Sequence, residues 1–201
     1  MIALIDYGAG NLTSVRKALT AVGVEFVVPS DPSEVAGAAG VIVPGVGHFA
    51  STARLDGGWR SAITQAVQSG TPLLGICVGM QWLFEGSDEA PDVPGLGALP
   101  GRIARLQGDA DERLKVPHVG WNALELRGSA RLLRGLSSGD QVYFTHSFAA
   151  PVTSACVAAT THANTFAAAV EQGNVFGVQF HPEKSSDTGL QILKNFLEVC
   201  R

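Results

Sequence analysis

Cys77 stands between two glycines in Gly75-Ile76-Cys77-Val78-Gly79, at the end of an apolar run that starts at Pro72. Gly-x-nucleophile-x-Gly is the spacing of a nucleophile elbow, a strained strand-to-helix turn that presents its middle side chain at the edge of a sheet. The flanking glycines are needed because a Cβ at either one would meet neighbouring backbone. A sulfur exposed at the start of the following helix favours the thiolate, the attacking form. A thiol nucleophile needs a base, and the base needs an acceptor to orient it. The histidines are His48, His118, His146, His162 and His181, and only His181 follows a strand-like run and precedes a proline, with an acid two residues on, in Gln179-Phe180-His181-Pro182-Glu183. Pro182 biases His181 towards extended backbone. In extended backbone residues i and i+2 share a side, which sets Glu183 beside the His181 ring.

Acyl transfer also needs donors for the charge that develops on the attacked carbonyl oxygen. The backbone N–H of Val78, the residue after the nucleophile, is one such donor. The other is expected from a glycine loop closing a neighbouring strand. Pro44-Gly45-Val46-Gly47, after Val41-Ile42-Val43, fits this role, because glycine lets backbone approach a substrate closely. No Lys-Ser/Thr follows it, so it is not a phosphate loop. Taken singly, each feature has an ordinary alternative: a buried core cysteine, a surface turn ending a strand, a simple turn at 44–47. Taken together they describe a cysteine acyl-transfer site.

The elements that must position these groups show in the apolar periodicity. Ile2 to Ile5 reads as a strand. Asn11 caps a helix that carries Leu12, Val15, Leu19 and Val22 at helical spacing. Val24 to Val28 and Gly40 to Val43 are further strands, a helix is expected from about Trp59 to Gln68, and Pro72 to Ile76 leads into the elbow. Short apolar strands alternating with helices predict a parallel sheet covered on both faces. Prolines and glycines from Glu85 to Gly101 read as a loop. Strand-like segments then follow at Ile103 to Leu106, Trp121 to Leu126, Val142 to Phe144, Ala155 to Thr160, Phe166 to Val170 and Val175 to Phe180. A final helix uses Leu190, Leu193, Phe196 and Leu197 and is capped near Ser185 to Asp187. The reading is one mixed α/β domain over residues 1–201, whose second half adds strands to the sheet of the first.

Composition narrows the function classes. The chain is 46% hydrophobic and 16% charged, enough for a real core and low in charge for a soluble monomer, which suits a surface partly covered by a partner. A net charge of −4 argues against a nucleic-acid or anionic-membrane surface. Cys77, Cys156 and Cys200 are an odd number with no metal-type spacing, so no disulfide framework and no metal site is expected. An acid at Asp6 and the lack of a basic opening segment exclude a secretory signal. No apolar run reaches the length of a membrane span. A cytoplasmic protein is expected.

The Cys77 elbow, Pro-Gly-Val-Gly at 44–47 and Gln-Phe-His-Pro-Glu at 179–183 together resemble class I, triad-type glutamine amidotransferases. Within that class the chain is similar to the glutaminase subunits of imidazole glycerol phosphate synthase. The likeness is carried by Asp6-Tyr7-Gly8-Ala9-Gly10-Asn11-Leu12, Val116-Pro117-His118-Val119-Gly120-Trp121-Asn122, Tyr143-Phe144-Thr145-His146-Ser147-Phe148 and His181-Pro182-Glu183-Lys184-Ser185. It runs from residue 1 to the final helix with the motifs in order. Val78 stands where the family usually has Leu, and Val119 and Phe148 where Met and Tyr are common. None of these affects the triad.

The resemblance implies a three-layer α/β sandwich around a mostly parallel mixed sheet with a flavodoxin-like core, and no cofactor. It implies that Cys77 attacks the glutamine side-chain amide to give a γ-glutamyl thioester, that His181 shuttles protons, and that Glu183 orients His181. Val78 and the Val46–Gly47 segment are the implied oxyanion donors, and Gln81 a candidate for the substrate's amino-acid end or for ordinary elbow-helix packing. The released ammonia is expected to pass through the barrel of a cyclase partner in a heterodimer, which makes imidazole glycerol phosphate and AICAR from PRFAR. Trp121, Asn122 and Lys184 lie in segments that resemble the partner-facing surface, and a core aromatic is the alternative for Trp121. The competing functions are another class I glutaminase, a stand-alone γ-glutamyl hydrolase, a catalytically silent binding subunit, or a cysteine sensor on a similar elbow.

Overall fold

The computed structural model describes residues 1–108 and 115–201. Its strands are β1 (Ile2–Leu4), β2 (Phe26–Val27), β3 (Gly40–Gly45), β4 (Leu73–Cys77), β5 (Gly86–Ser87), β6 (Ala90–Pro94), β7 (Arg102–Arg105), β8 (His118–Ala123), β9 (Glu125–Leu126), β10 (Gln141–His146), β11 (Phe148–Ala149), β12 (Cys156–His162), β13 (Asn164–Gln172) and β14 (Val175–Val178). The α-helices are α1 (Leu12–Ala21), α2 (Gly58–Gln68), α3 (Val78–Trp82) and α4 (Ser186–Val199). Among the described residues no helix is long and apolar enough to cross a membrane.

Eight strands form the main sheet in the order β2-β1-β3-β4-β14-β13-β12-β9. The strands from β2 to β14 run parallel, and β13, β12 and β9 continue the sheet antiparallel. Alternate residues face opposite layers. Ile2, Leu4, Ile42 and Leu74 meet Val15 and Leu19 of α1 and Ile192, Leu193 and Phe196 of α4 on one side. Ala3, Ile5, Val41, Val43 and Leu73 meet Ile63 of α2 and Leu55 on the other. The expected sheet with helices on both faces is therefore present. The expected cap of α1 forms, with Asn11 Oδ1 accepting the Ser14 N–H at 3.4 Å.

The second half departs from expectation. Only β9, β12, β13 and β14 extend the main sheet. β8 and β10 form a separate two-stranded antiparallel sheet, and β5, β6, β7 and β11 a four-stranded one. Alternating polarity marks a strand but does not name its partner, so the segments at 103–106, 121–126 and 142–144 are legible as strands while the sheet each joins is not; the second divides between β8 and β9. The stretch expected as a loop, Glu85 to Gly101, contains β5 and β6. Its glycines permit close backbone contact instead of marking only turns: a Cβ on Gly95 would run into the Phe84 carbonyl oxygen. The cap expected near Ser185 to Asp187 falls at Ser185, whose side chain makes no cap bond there.

Candidate active site

Adjacent parallel strands bring their C-terminal ends to one edge of the sheet, where sites in open α/β folds form. Gly45 at the end of β3 pairs with Cys77 at the end of β4. Val178 at the end of β14 pairs with Ile76. The loop 44–47, the elbow and the segment 179–183 therefore converge.

Cys77 adopts φ 54° and ψ −110°, a positive-φ conformation that costs a β-carbon residue about 1–3 kcal/mol. The glycines explain how the turn closes. A Cβ on Gly75 would lie 2.6 Å from the Gly79 carbonyl oxygen, and one on Gly79 would strike the Val43 carbonyl oxygen. The sulfur is not open to solvent as the sequence suggested: Cys77 is 3% exposed and reaches only a cavity of about 310 Å³. α3 is five residues long, so the field at Cys77 is that of a few unpaired N–H groups, not of a long macrodipole.

His181 and Glu183 line up as expected, by a different route. His181 is extended (φ −101°, ψ 98°), but Pro182–Lys184 closes a 3₁₀ turn, and this turn carries Glu183 back onto the ring. Nδ1 lies 2.8 Å from Glu183 Oε1, with both side chains 1% exposed. The backbone is fixed from β10: the His181 N–H donates to the Tyr143 carbonyl oxygen at 2.9 Å, and the Ser185 hydroxyl donates to the His181 carbonyl oxygen at 2.6 Å while accepting from the Tyr143 N–H at 2.9 Å. This is where the hydroxyl of the expected cap is used. Burial opposes a charge on the ring, but the Cys77 sulfur and the Glu183 carboxylate outweigh it and push the His181 pKa up to about 10. Nε2 has no aligned hydrogen-bond partner among the described residues, so the sulfur is a near neighbour whose alignment is left for the substrate complex.

The remaining site residues divide. Val78, Val46, Gly47 and Gln81 all line the cavity. Val78 is the first residue of α3, so its N–H is one of the unpaired donors of a helix start. The Val46 N–H is engaged: it donates to the Ala9 carbonyl oxygen at 3.0 Å. Gln81 Nε2 is engaged as well, with the Phe148 carbonyl oxygen at 2.8 Å and Gln179 Oε1 at 3.1 Å, which leaves its own oxygen to offer a substrate. Spacing gave no sign of Glu89. Its carboxylate lines the cavity, and Oε2 accepts the Phe49 N–H at 2.7 Å. Gln179, inside the 179–183 motif, donates from Nε2 to the Cys77 sulfur at 3.7 Å.

Trp121 is 52% exposed and Val119 57% exposed, on the same side of β8, so Trp121 is not a core aromatic. Lys184 lines the cavity and holds Nζ 5.7 Å from the Tyr143 ring centroid. Asn122 turns inward, its Nδ2 3.3 Å from His118 Nε2.

A buried cysteine elbow beside a His–Glu pair at the C-terminal edge of this sheet defines a class I glutamine amidotransferase, and a family model described as glutamine amidotransferase class-I matches residues 3–200. The chain is 48% identical over 204 residues to the imidazole glycerol phosphate synthase subunit HisH of Moorella thermoacetica, covering 100% of this chain and 95% of that one. It is 47% identical to the same subunit of Syntrophotalea carbinolica, covering 98% of both. A solved structure titled as a glutamine amidotransferase superposes with a TM-score of 0.76 at 22% identity, over 99% of this chain and 98% of that one. The chain belongs to the HisH family of glutamine amidotransferase subunits.

Proposed function

We propose that Cys77, His181 and Glu183 are the triad with which this glutaminase subunit hydrolyses L-glutamine to glutamate and ammonia. The observation that carries the assignment is that His181, held by Glu183 in a buried 2.8 Å pair, lines the same cavity as Cys77. The sulfur attacks the side-chain amide carbon. His181 gives a proton to the departing ammonia, leaving a thioester, then takes one from the water that cleaves it. The Val78 N–H receives the oxyanion, and the Val46 N–H joins it once released from Ala9. Glu89 and the Gln81 oxygen are the acceptors for the substrate's ammonium group. The whole chain works as one domain in the cytoplasm and needs no cofactor.

The ammonia is passed to a cyclase subunit docked on the face that carries Trp121 and Lys184, with Asn122 on the inner side of the Trp121 strand, forming imidazole glycerol phosphate and AICAR from PRFAR. Identity near 48% over the full length to a HisH subunit favours this partner over another synthase or a free-standing hydrolase. The test is glutaminase activity of the chain with its cyclase, wild type against Cys77→Ala. The expected result is loss of turnover in the variant. Persistent hydrolysis would remove Cys77 as nucleophile, and failure to associate with the cyclase would remove the partner.

A further inference from the structure

Gln179 is fully buried, and its bond to the Cys77 sulfur is the end of a longer array. Gln179 Oε1 accepts from Gln81 Nε2 at 3.1 Å, so Gln179 Nε2 must be the atom that faces the sulfur. Gln81 Nε2 also donates to the Phe148 carbonyl oxygen at 2.8 Å. The same oxygen lies 3.0 Å from His146 Nδ1. A carbonyl oxygen only accepts, so His146 carries a proton on Nδ1. In a neutral ring that leaves Nε2 as an acceptor, and its partner at 3.1 Å is His118 Nδ1, which must then hold a proton too. His118 Nε2 accepts in turn from Asn122 Nδ2 at 3.3 Å. The Asn122 amide is itself oriented, since its Oδ1 takes the Ala123 N–H at 2.8 Å and its Nδ2 also reaches the Thr161 carbonyl oxygen at 3.2 Å.

Every donor and acceptor in this array is thus determined once one carbonyl is fixed. The neutrality it needs is also present. Burial, aided by the nearby His162, pushes His118 down to about 4. Burial likewise takes His146 to about 3, against the bond it donates to the Phe148 carbonyl oxygen. Register explains how the two rings meet, because His118 and His146 are paired opposite each other across β8 and β10.

We propose that this array, from Asn122 through His118, His146, the Phe148 carbonyl and Gln81 to Gln179, positions the Cys77 sulfur for attack, with Gln179 the positioning residue that touches it. No atom travels along it. At φ 54° the Cys77 side chain points into an open cavity on one side, and the Gln179 N–H holds its sulfur at one rotamer. The far end lies on β8, one residue from the exposed Trp121, so the clamp is anchored on the partner-facing strand. This inference rests on Cys77 being the nucleophile.

The test uses the chain bound to its cyclase. Gln179→Met keeps the length and apolar bulk of the side chain and removes both bonds. His118→Phe cuts the array far from the sulfur. The expected result is a kcat for glutamine hydrolysis lower by about 10- to 100-fold in Gln179→Met and by about threefold or more in His118→Phe, with KM within about twofold in both. Ring-nitrogen NMR of the wild-type full chain should show His118 and His146 neutral with the proton on Nδ1, whether or not either variant folds. A wild-type kcat in folded Gln179→Met or His118→Phe, or an Nε2–H tautomer at His118, overturns the array. Retained activity in Cys77→Ala instead sinks the nucleophile assignment, so the two failures are distinguishable.

Discussion

The Val46 N–H and the Ala9 carbonyl oxygen are hydrogen-bonded at 3.0 Å, and this bond holds one expected oxyanion donor out of use. Val46 lies between Gly45 and Gly47, and Gly47 already takes φ +88°. Glycine on both sides lets the peptide turn without a Cβ penalty. On the proposed roles, the resting chain therefore has the His181–Glu183 pair formed and one of its two oxyanion donors engaged elsewhere.

The isolated chain should accordingly hydrolyse glutamine at least about 100-fold more slowly than the chain bound to a ligand-filled cyclase, the worth of one oxyanion donor. Steady-state glutaminase assays with and without the partner measure the ratio, and amide exchange at Val46 should be protected in the free chain. Full activity in the free chain would show that this bond restrains nothing.

Glu183→Gln should leave the fold intact and lower kcat by about 10²- to 10⁴-fold. The amide replaces an acceptor that holds the His181 Nδ1 proton with a group that also donates, so the ring loses the reason for its tautomer. A loss of less than about tenfold would demote Glu183 from orienting the base.

The His181 pair should also show in stability against pH. Burial disfavours the charged ring, yet the neighbouring Cys77 and Glu183 raise its pKa from 6.5 to about 10. A raised folded-state value means the folded chain binds the proton more tightly than the unfolded chain does. Its contribution is thus complete below pH 6.5 and lost as pH rises to about 10. Denaturant unfolding of wild type and His181→Asn should give a difference that is constant in acid and shrinks through that window. A difference that grows with pH contradicts the sign.

Gly79→Ala should cost about 3 kcal/mol or more in unfolding free energy, because the new methyl meets the rigid Val43 carbonyl and neither backbone can yield. Gly47→Ala provides the contrast. Its Cβ would meet nothing within 4 Å, so only the positive φ is penalised, by roughly 1–2 kcal/mol. Equal losses at the two positions would mean that the elbow has more room than its contacts indicate.

What the sequence made legible was local. The elbow and the His-Pro-Glu segment are short motifs set by neighbours within a few residues; the turn at Cys77 and the His181–Glu183 pairing both form, but the sulfur is buried and a 3₁₀ turn, not extended backbone, brings Glu183 to the ring. The Gln179–Cys77 and Gln81–Gln179 bonds join residues 102 and 98 apart, and no periodicity encodes which strand ends will meet. The His118–His146 contact depends on the β8–β10 register in the same way. Glu89 stood among glycines and prolines that read only as loop. Its place in the cavity follows from the turn between β5 and β6 meeting the Phe49 N–H at 2.7 Å, a contact 40 residues apart in sequence that composition does not reveal.

Partner binding gives the clearest separation of fold from function. Trp121 is 52% exposed and Val119 57% exposed, and the indole meets the Tyr143 ring edge-on, ring centroids 6.1 Å apart. A large apolar side chain held out on a strand adds little to the fold, so Trp121→Ala should change unfolding free energy by no more than about 0.5 kcal/mol. If the indole fills a cyclase pocket, the same variant should weaken association by about 2 kcal/mol, or roughly 30-fold in Kd. Titration calorimetry with the cyclase measures the second quantity and thermal unfolding the first. A variant that is destabilised but binds normally would return Trp121 to a structural role and move the docking face away from β8.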